Sequence, residues 1–575
     1  MDRNYESRFA GNPTGVNISR SIINRDHSVK FSFNVGDVVP FMCDDILPGD
    51  TVTIDTSKVV RLQPMVAPIM DEVFLDTYYF FVPYRLLWNH WINFMGENTA
   101  SAWEPEVEYS VPQCEIPHGG FAAGTIADYM GVPINEAGGQ KISAMPFRAY
   151  ALICDQWFRS ENLMTPVNVN KDDSDIVGSN GGDQVTDIVK GGKPFIACKT
   201  FDYFTAALPE PQKGPDVTLP LGSVAPLSGL APVDGYSTAS HKAGDTIPSG
   251  VVAPQLLYQA AGASTYQAPA ADRALGTGSD ANHSLSTYNP GNLGSDTGDL
   301  HFSNLYANLN GLNADLSAAT ASTVNELRQA FAIQKYYERL ARGGSRYIEM
   351  IKAFYGVTSP DARLQRAEYL GGNRIYLDVE QVAQQSSTKD QPTPAGSVFG
   401  LSVTGDTNSD FTKSFTEHGL LIGVCVARYH HTYQQGLERM WFRKNLFDFY
   451  NPTFANLGEV PILKKEIYFT DDGVQNEEVF GYQEAWADYR YKPNRVAGEM
   501  RSAYATPLDS WHLADNYKTV PSLSADWIRE DKTMLDRALA VTSQVSNQLI
   551  ADFYIKADYA RPMPVYSIPG LIDHN

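Results

Sequence analysis

Val29-Lys-Phe-Ser-Phe-Asn-Val-Gly36 alternates apolar with polar side chains, residue by residue. A period of two is the signature of a half-buried strand, because successive side chains leave the backbone on opposite faces. Val29, Phe31, Phe33 and Val35 therefore line a buried face, and Lys30, Ser32 and Asn34 a wet one. Outward from this stretch, a turn at Leu47-Pro-Gly-Asp50 leads into a second alternation through Val52 and Ile54. The run Val73–Val82 (VFLDTYYFFV) is nearly continuous, aromatic and β-branched, which predicts a strand covered on both faces. Leu420–Ala427 (LLIGVCVA) reads the same way, and Lys465–Phe469, Phe480–Tyr491 and Phe553–Tyr559 are further predicted strands.

Strands thus stand at both ends of the chain, with long insertions between them. A β-sandwich with Greek-key wiring tolerates such insertions at the ends of its sheets, so the predicted fold is mainly β, an eight-stranded jelly roll with long loop and helical insertions. The composition agrees: 31 Tyr, 27 Phe, 45 Gly and 34 Pro in 575 residues suit strands and turns better than a helical bundle. Two helices interrupt the pattern. Ile142, Met145, Ala149, Leu152, Ile153 and Trp157 share one helical face, with Arg148, Asp155 and Arg159 elsewhere. Thr323 and Glu326 have capping-box spacing ahead of Leu327, Phe331 and Leu340, and Gly343-Gly344 ends that helix. From about 219 to 320 the chain is rich in Ala, Gly, Ser, Thr, Asn and Pro, with few charges and no period. A stretch of this kind belongs at the surface or is disordered.

The formal net charge of −21 excludes bulk condensation of nucleic acid, which needs a basic protein. Cys43, Cys114, Cys154, Cys198 and Cys425 are far apart and odd in number, which predicts reduced, mostly buried thiols and no zinc site. The start carries no signal-type apolar core and no run of eighteen apolar residues occurs, so no membrane insertion is expected.

Searches for chemistry mostly fail. Gly191-Gly-Lys-Pro194 lacks the spacing and hydroxyl of a phosphate loop. Asp173, Asp175 and Gly178 match part of a calcium loop, but Val177 and Gln184 stand at ligand positions, so a solvated acidic loop is the better reading. His430 and His431 are adjacent, near Glu438; neighbours on a strand face opposite ways and cannot easily share an ion. No nucleophile elbow and no zinc-protease helix motif occurs. The expectation is no catalytic residue, no metal and no cofactor. A carbohydrate-active sandwich would need a pair of carboxylates that nothing here marks, and a cellular surface layer would need a secretion signal.

The cations are more informative. Arg3, Arg8, Arg20 and Arg25 punctuate a polar leading arm, and Arg439, Arg443 and Lys444 surround Trp441 and Phe442. That interleaving suits single-stranded nucleic acid; alternatively, the two rings are core and the cations cover its edge. The ending, from Arg561 through MPVYSIPGL, carries prolines that forbid a helix or a central strand, leaving an extended arm that needs a neighbour to cover it.

Several long irregular strings then carry a resemblance. They are NRDHSVKFSFNVGDVVPF, FLDTYYFFVPYRLLW, FRAYALICDQWFRSENL, ARYHHTYQQGLERMWFRKNLFDFYNPTFANLGE, YQEAWADYRYKPNRVAGEMRS and MPVYSIPGLIDHN. The chain resembles the major capsid proteins of gokushoviruses, the Microviridae branch of small single-stranded-DNA bacteriophages. The resemblance implies an enlarged viral jelly roll and a homo-oligomeric T=1 icosahedral shell around a circular single-stranded DNA genome, assembled in the host bacterial cytoplasm. It also implies a small basic DNA-binding protein, a scaffolding protein, a pilot protein and an unidentified host surface receptor as partners. On this reading 1–27 is the arm, 28–165 carries the first strands and a helix, and 166–321 is the insertion, with 219–320 a surface protrusion. A helix follows at 322–345, the remaining strands at 346–552, and the last strand and extended arm at 553–575. The DNA-facing expectation is Arg3, Arg8, Arg20, Arg25, Arg439, Arg443 and Lys444.

Overall fold

The computed structural model of the chain describes residues 19–97, 108–134, 138–215, 217, 324–344, 346–385 and 396–566, together with short strands between 224 and 315. Contacts divide the chain into two units, residues 1–213 with 337–575, and Gly214–Tyr336.

The first unit is built on β1 (His27–Phe33), β2 (Asp37–Ile46), β3 (Thr51–Leu62), β4 (Val73–Pro83), β5 (Glu368–Gly371 continuing at Arg374–Tyr376), β6 (Thr404–Ser414), β7 (Gly419–Tyr429) and β8 (Leu549–Arg561). One antiparallel sheet has the order β1–β8–β3–β6 and the other β2–β7–β4–β5. Consecutive strands alternate between the sheets except at β4–β5, and the last strand lies between the first and the third. That wiring is the jelly roll. The long connections are 84–367, between β4 and β5, and 430–548, between β7 and β8.

The two sheets bury their residues differently, and the sequence patterns follow. In the first sheet β3 and β8 alternate: Val52, Ile54 and Val60, with Phe553, Ile555 and Tyr559, point into the sandwich. Its outer face is wet, with hydroxyl pairs Thr51–Ser414 (2.8 Å) and Thr53–Thr412 (3.1 Å) and the ion pair Lys30–Asp552 (3.4 Å). The second sheet is covered twice, hence its near-continuous apolar runs. In β7, Leu421, Cys425, Ala427 and Tyr429 fill the sandwich, while Leu420, Ile422, Val424 and Val426 meet a second core built largely from the 84–367 connection. Gly423 sits between them because there is no room for more: a Cβ there would come within 2.8 Å of the Phe41 ring and 3.0 Å of the Tyr79 ring.

The second core is organised by α1 (Met145–Ile153), which continues as a wider helical turn through Phe158. It starts three residues after the expected Ile142, which pairs instead in the short strand Lys141–Ser143. Arg148, expected on the polar side, is fully buried, because its guanidinium donates to the carbonyls of Leu87 (3.3 Å), Asp172 (2.9 Å) and Ser174 (3.2 Å). Tyr150 anchors α1 to the sheet through its hydroxyl, 2.5 Å from the Val38 carbonyl. All five cysteines are free, and burial pushes the Cys43 and Cys114 thiols up to about 12.

Two strand expectations change. Lys464–Ile467 forms a helical turn, with the amide of the preceding Leu463 donating to the Glu466 carboxylate (3.1 Å), and the strand starting near Phe480 ends at Glu484. The helix α2 spans Val324–Gly343 and stops where Gly344 takes φ +88°; its expected cap, Thr323, lies outside the described residues. Much of 219–320 lies outside them as well. The described backbone there includes Leu305–Asn308 paired with Leu230–Pro232 and Leu256–Tyr258, strands too short to print a period in the sequence.

Candidate functional site

The predicted cations fall into two groups with different partners. Arg3 and Arg8 lie outside the described residues, and Arg20 is exposed. Just beyond it, Ser21–Asn24 pairs with the end of β8, from Ser21 opposite Arg561 to Asn24 opposite Asp558. Arg25 is held 3.0 Å from Asp44 and stacks 5.1 Å over the Tyr559 ring.

The second group sits on a short turn, Arg439–Phe442. Arg439 donates to the Pro461 carbonyl (2.9 Å) and lies 4.0 Å from Glu466. Arg443 pairs with Asp488 and stacks 4.1 Å over Tyr489. Phe442 is half-buried under the Lys465 amine (4.1 Å), so for this ring the packing alternative holds. Trp441 does not follow it, being 66 % exposed, and Lys444 is exposed beside it.

Sequence reasoning missed what faces this turn. The segment Tyr489-Arg-Tyr-Lys-Pro-Asn-Arg495 and Arg501 form the opposite wall of a cleft of about 360 Å³. Tyr491 stacks on Tyr203 at 5.1 Å, nearly parallel at 9°. Lys492 (2.5 Å) and Arg495 (3.9 Å) share Glu438, and burial raises the Glu466 carboxyl above its usual range. The alternation of Tyr with Arg and Lys was the available signal, since it repeats the pattern around Trp441. Chemically the cleft offers fixed cations and planar rings, suited to an anion carrying an aromatic group.

The other candidates are structural. Asp173 accepts from the Trp88 indole (2.6 Å) and lies 2.8 Å from His90, and Asp175 accepts from Lys141 (2.7 Å) and the Gln113 amide (2.9 Å). His430 is exposed and His431 buried, although both lie just past the end of β7 at Tyr429 and not on the strand that the sequence argument assumed. His431 Nδ1 lies 3.0 Å from Asp515 and Nε2 lies 2.9 Å from Glu530, both buried carboxylates. Burial disfavours the imidazolium, but the two carboxylates outweigh it and push His431 up to about 10. Asp515 also accepts from the Tyr517 hydroxyl (2.7 Å) and pairs with Lys199 (3.5 Å). Backbone bonds Asp515–Thr432 and Glu530–Ala197 complete a latch joining three remote segments. Among the described residues, no group of three or more His, Cys, Asp or Glu side chains is placed to hold a metal ion.

With the jelly roll and these surfaces in view, comparison with known proteins is decisive. The family described as "Capsid protein (F protein)" matches residues 12–571. The chain belongs to this phage capsid family. Among its relatives, Capsid protein VP1 of Spiroplasma virus 4 is 40 % identical over 579 residues, covering 98 % of this chain and 97 % of the relative. The VP1 capsid proteins of Chlamydia phage 1 (39 % over 597 residues, 98 % of each chain) and Bdellovibrio phage phiMH2K (38 % over 571 residues, 99 % and 98 %) are similar throughout. As a phage capsid protein, this is a structural component of the virion and not an enzyme. Its first partners are copies of itself. No helix among the described residues is long and apolar enough to cross a membrane. The latch at His431 ties down the 430–548 connection, which carries both walls of the cationic cleft except Tyr203 and Phe204.

Proposed function

We propose that this capsid protein closes into a small T=1 icosahedral shell around circular single-stranded DNA. The observation that carries the reading is the β1–β8–β3–β6 and β2–β7–β4–β5 wiring in a chain whose relatives are named capsid proteins over their full length. The net charge of −21 calls for a separate small basic protein to neutralise packed phosphates. A scaffolding protein and a pilot protein complete the assembly, which takes place in the host cytoplasm, and the 219–320 protrusion meets a host surface receptor. The expected result on electron microscopy, for protein expressed with its scaffolding partner, is uniform icosahedral particles bearing protrusions. Monodisperse monomers or small oligomers under every condition would overturn the reading.

The leading arm, with Arg3, Arg8, Arg20 and Arg25, and the turn carrying Arg439, Arg443 and Lys444 face the DNA. The turn is supported by the cleft behind it, where Arg495 and Arg501 add cations beside Tyr489 and Tyr491. Deleting the residues before Ser28 is expected to weaken genome retention, read as the ratio of DNA-filled to empty particles in a density gradient. An unchanged ratio would remove the arm from the DNA-facing set.

A further inference from the structure

Directly after the DNA-facing turn the chain changes character. Asn445–Leu457, read as NLFDFYNPTFANL, has one charged residue, Asp448. Leu446 is 81 % exposed, Phe447 69 %, Phe449 51 %, Tyr450 48 % and Leu457 50 %. Aromatic side chains each carry roughly 150–250 Å² and leucines somewhat less, so these five at their exposures present on the order of 500 Å² of largely apolar surface. That is toward the top of the range for the largest patch on a monomeric protein.

The ribbon is nevertheless held in shape from behind. Asp448 accepts from the amides of Lys444 (2.8 Å) and Asn445 (2.7 Å), forming one tight turn over Leu446–Asp448. Asn451 caps the next turn, Pro452–Phe454, by accepting from the Thr453 amide at 2.9 Å. The Trp486 indole donates to the Phe454 carbonyl (2.8 Å), and the Tyr450 amide donates to the Tyr489 hydroxyl (3.2 Å). The backbone is therefore fixed while the apolar side chains stay outside. A surface already ordered before binding gives up little entropy when a partner covers it.

We propose that Asn445–Leu457 is a seam through which one copy of the chain joins a second copy. The inference rests on the capsid reading and adds to it where the copies meet. Charge argues against nucleic acid as the occupant, because the ribbon has no cation and one carboxylate. Leu446 and Leu457 argue the same way, since an aliphatic side chain offers a base no ring to stack on. The area argues for a copy of the chain: five side chains and the exposed residues between them approach the roughly 800 Å² per partner of a standard protein interface. In a shell, every copy must cover such a patch with an identical neighbour.

The test is carried out on full-length protein expressed with its scaffolding partner. The double variant Leu446→Asp and Phe447→Asp should reduce particle yield on sedimentation at least tenfold while the soluble subunit melts with the parent. Val545→Asp, at an exposed apolar residue elsewhere, should assemble normally. Independently, Phe447→Cys should react with maleimide in free subunits and be at least tenfold protected in purified particles, against the parent's own cysteines as background. Equal labelling in particles and subunits, or full particle yield from the double variant, would overturn the seam and leave the capsid reading intact. A parent that forms no particles would overturn both.

Discussion

Replacing His431 with alanine is expected to cost the folded subunit about 3–5 kcal/mol, the range for breaking a buried ion pair from one side. The substitution leaves Asp515 and Glu530 buried with no cation between them, and Lys199, 3.5 Å from Asp515, cannot answer both. Melting followed by tryptophan fluorescence is an apt readout, because Trp527 donates to Tyr517 at the edge of the latch (3.1 Å). An alanine variant that melts with the parent would remove the latch from the stability of the fold. The pH dependence has a definite sign. Folding raises the His431 pKa above its ordinary value of about 6.5, so its stabilisation is complete below that pH and is lost as pH rises through about 10. Asp515 behaves oppositely: burial would raise its carboxyl, but His431 and Lys199 hold it well below the usual range. Its stabilisation is therefore present above about pH 4 and is lost on acidification. The parent should lose stability from near neutrality upward, and the alanine variant should lose most of that slope.

Phe553→Ala is expected to cost about 3–5 kcal/mol as well, by a different route. Phe553 is fully buried on the central strand β8, with its ring edge-on to Phe31 (5.1 Å) from its own sheet and Phe41 (5.0 Å) from the facing one. Removing it opens a cavity where the two sheets meet. The next residue is the control. Tyr554 is 47 % exposed on the outer face, so Tyr554→Ala should cost under ~1 kcal/mol. Equal losses at the two positions would mean that the register of β8 against β1 is wrong by one residue.

These two residues also mark what a single sequence could and could not disclose. The alternation around Phe553 and over Val29–Phe33 was legible because burial on one face of a sheet imposes a period of two; it fails at Asn34, expected on the wet face but buried in the turn beyond β1. The doubly covered strands were legible because both faces demand apolar residues. Lys58 was not legible. It interrupts the inward series Val52, Ile54, Val60, yet it is buried, its amine answered by Thr77 (3.2 Å), Asn373 and Asp406 (3.5 Å). Only tertiary partners drawn from β4 and from chain more than three hundred residues away make a lysine tolerable there. Arg148 escaped the helical reading for the same reason, since backbone carbonyls of distant loops satisfy it. At the cationic turn the residue types were visible, but not that Arg439 and Arg443 would be engaged by Glu466 and Asp488 while Trp441 and Lys444 stayed in solvent. The latch was not legible: His430 and His431 lie past the end of β7, where strand geometry does not set their orientation, and the two acids facing His431 lie 84 and 99 residues further on.

The position of β8 has one more consequence, and it concerns time. Residues 549–561 pair on one side with His27–Phe33 and on the other with Thr51–Leu62. The first sheet therefore stays split until residue 561 has left the ribosome, on the order of a minute at typical elongation rates. Throughout synthesis β1 and β3 wait with open edges and exposed apolar faces, which makes the nascent chain a natural client for chaperones. A ribosome that stalls before residue 549 releases a chain that cannot close its sheet. Synthesis through residue 561 is thus a precondition for a closed first sheet.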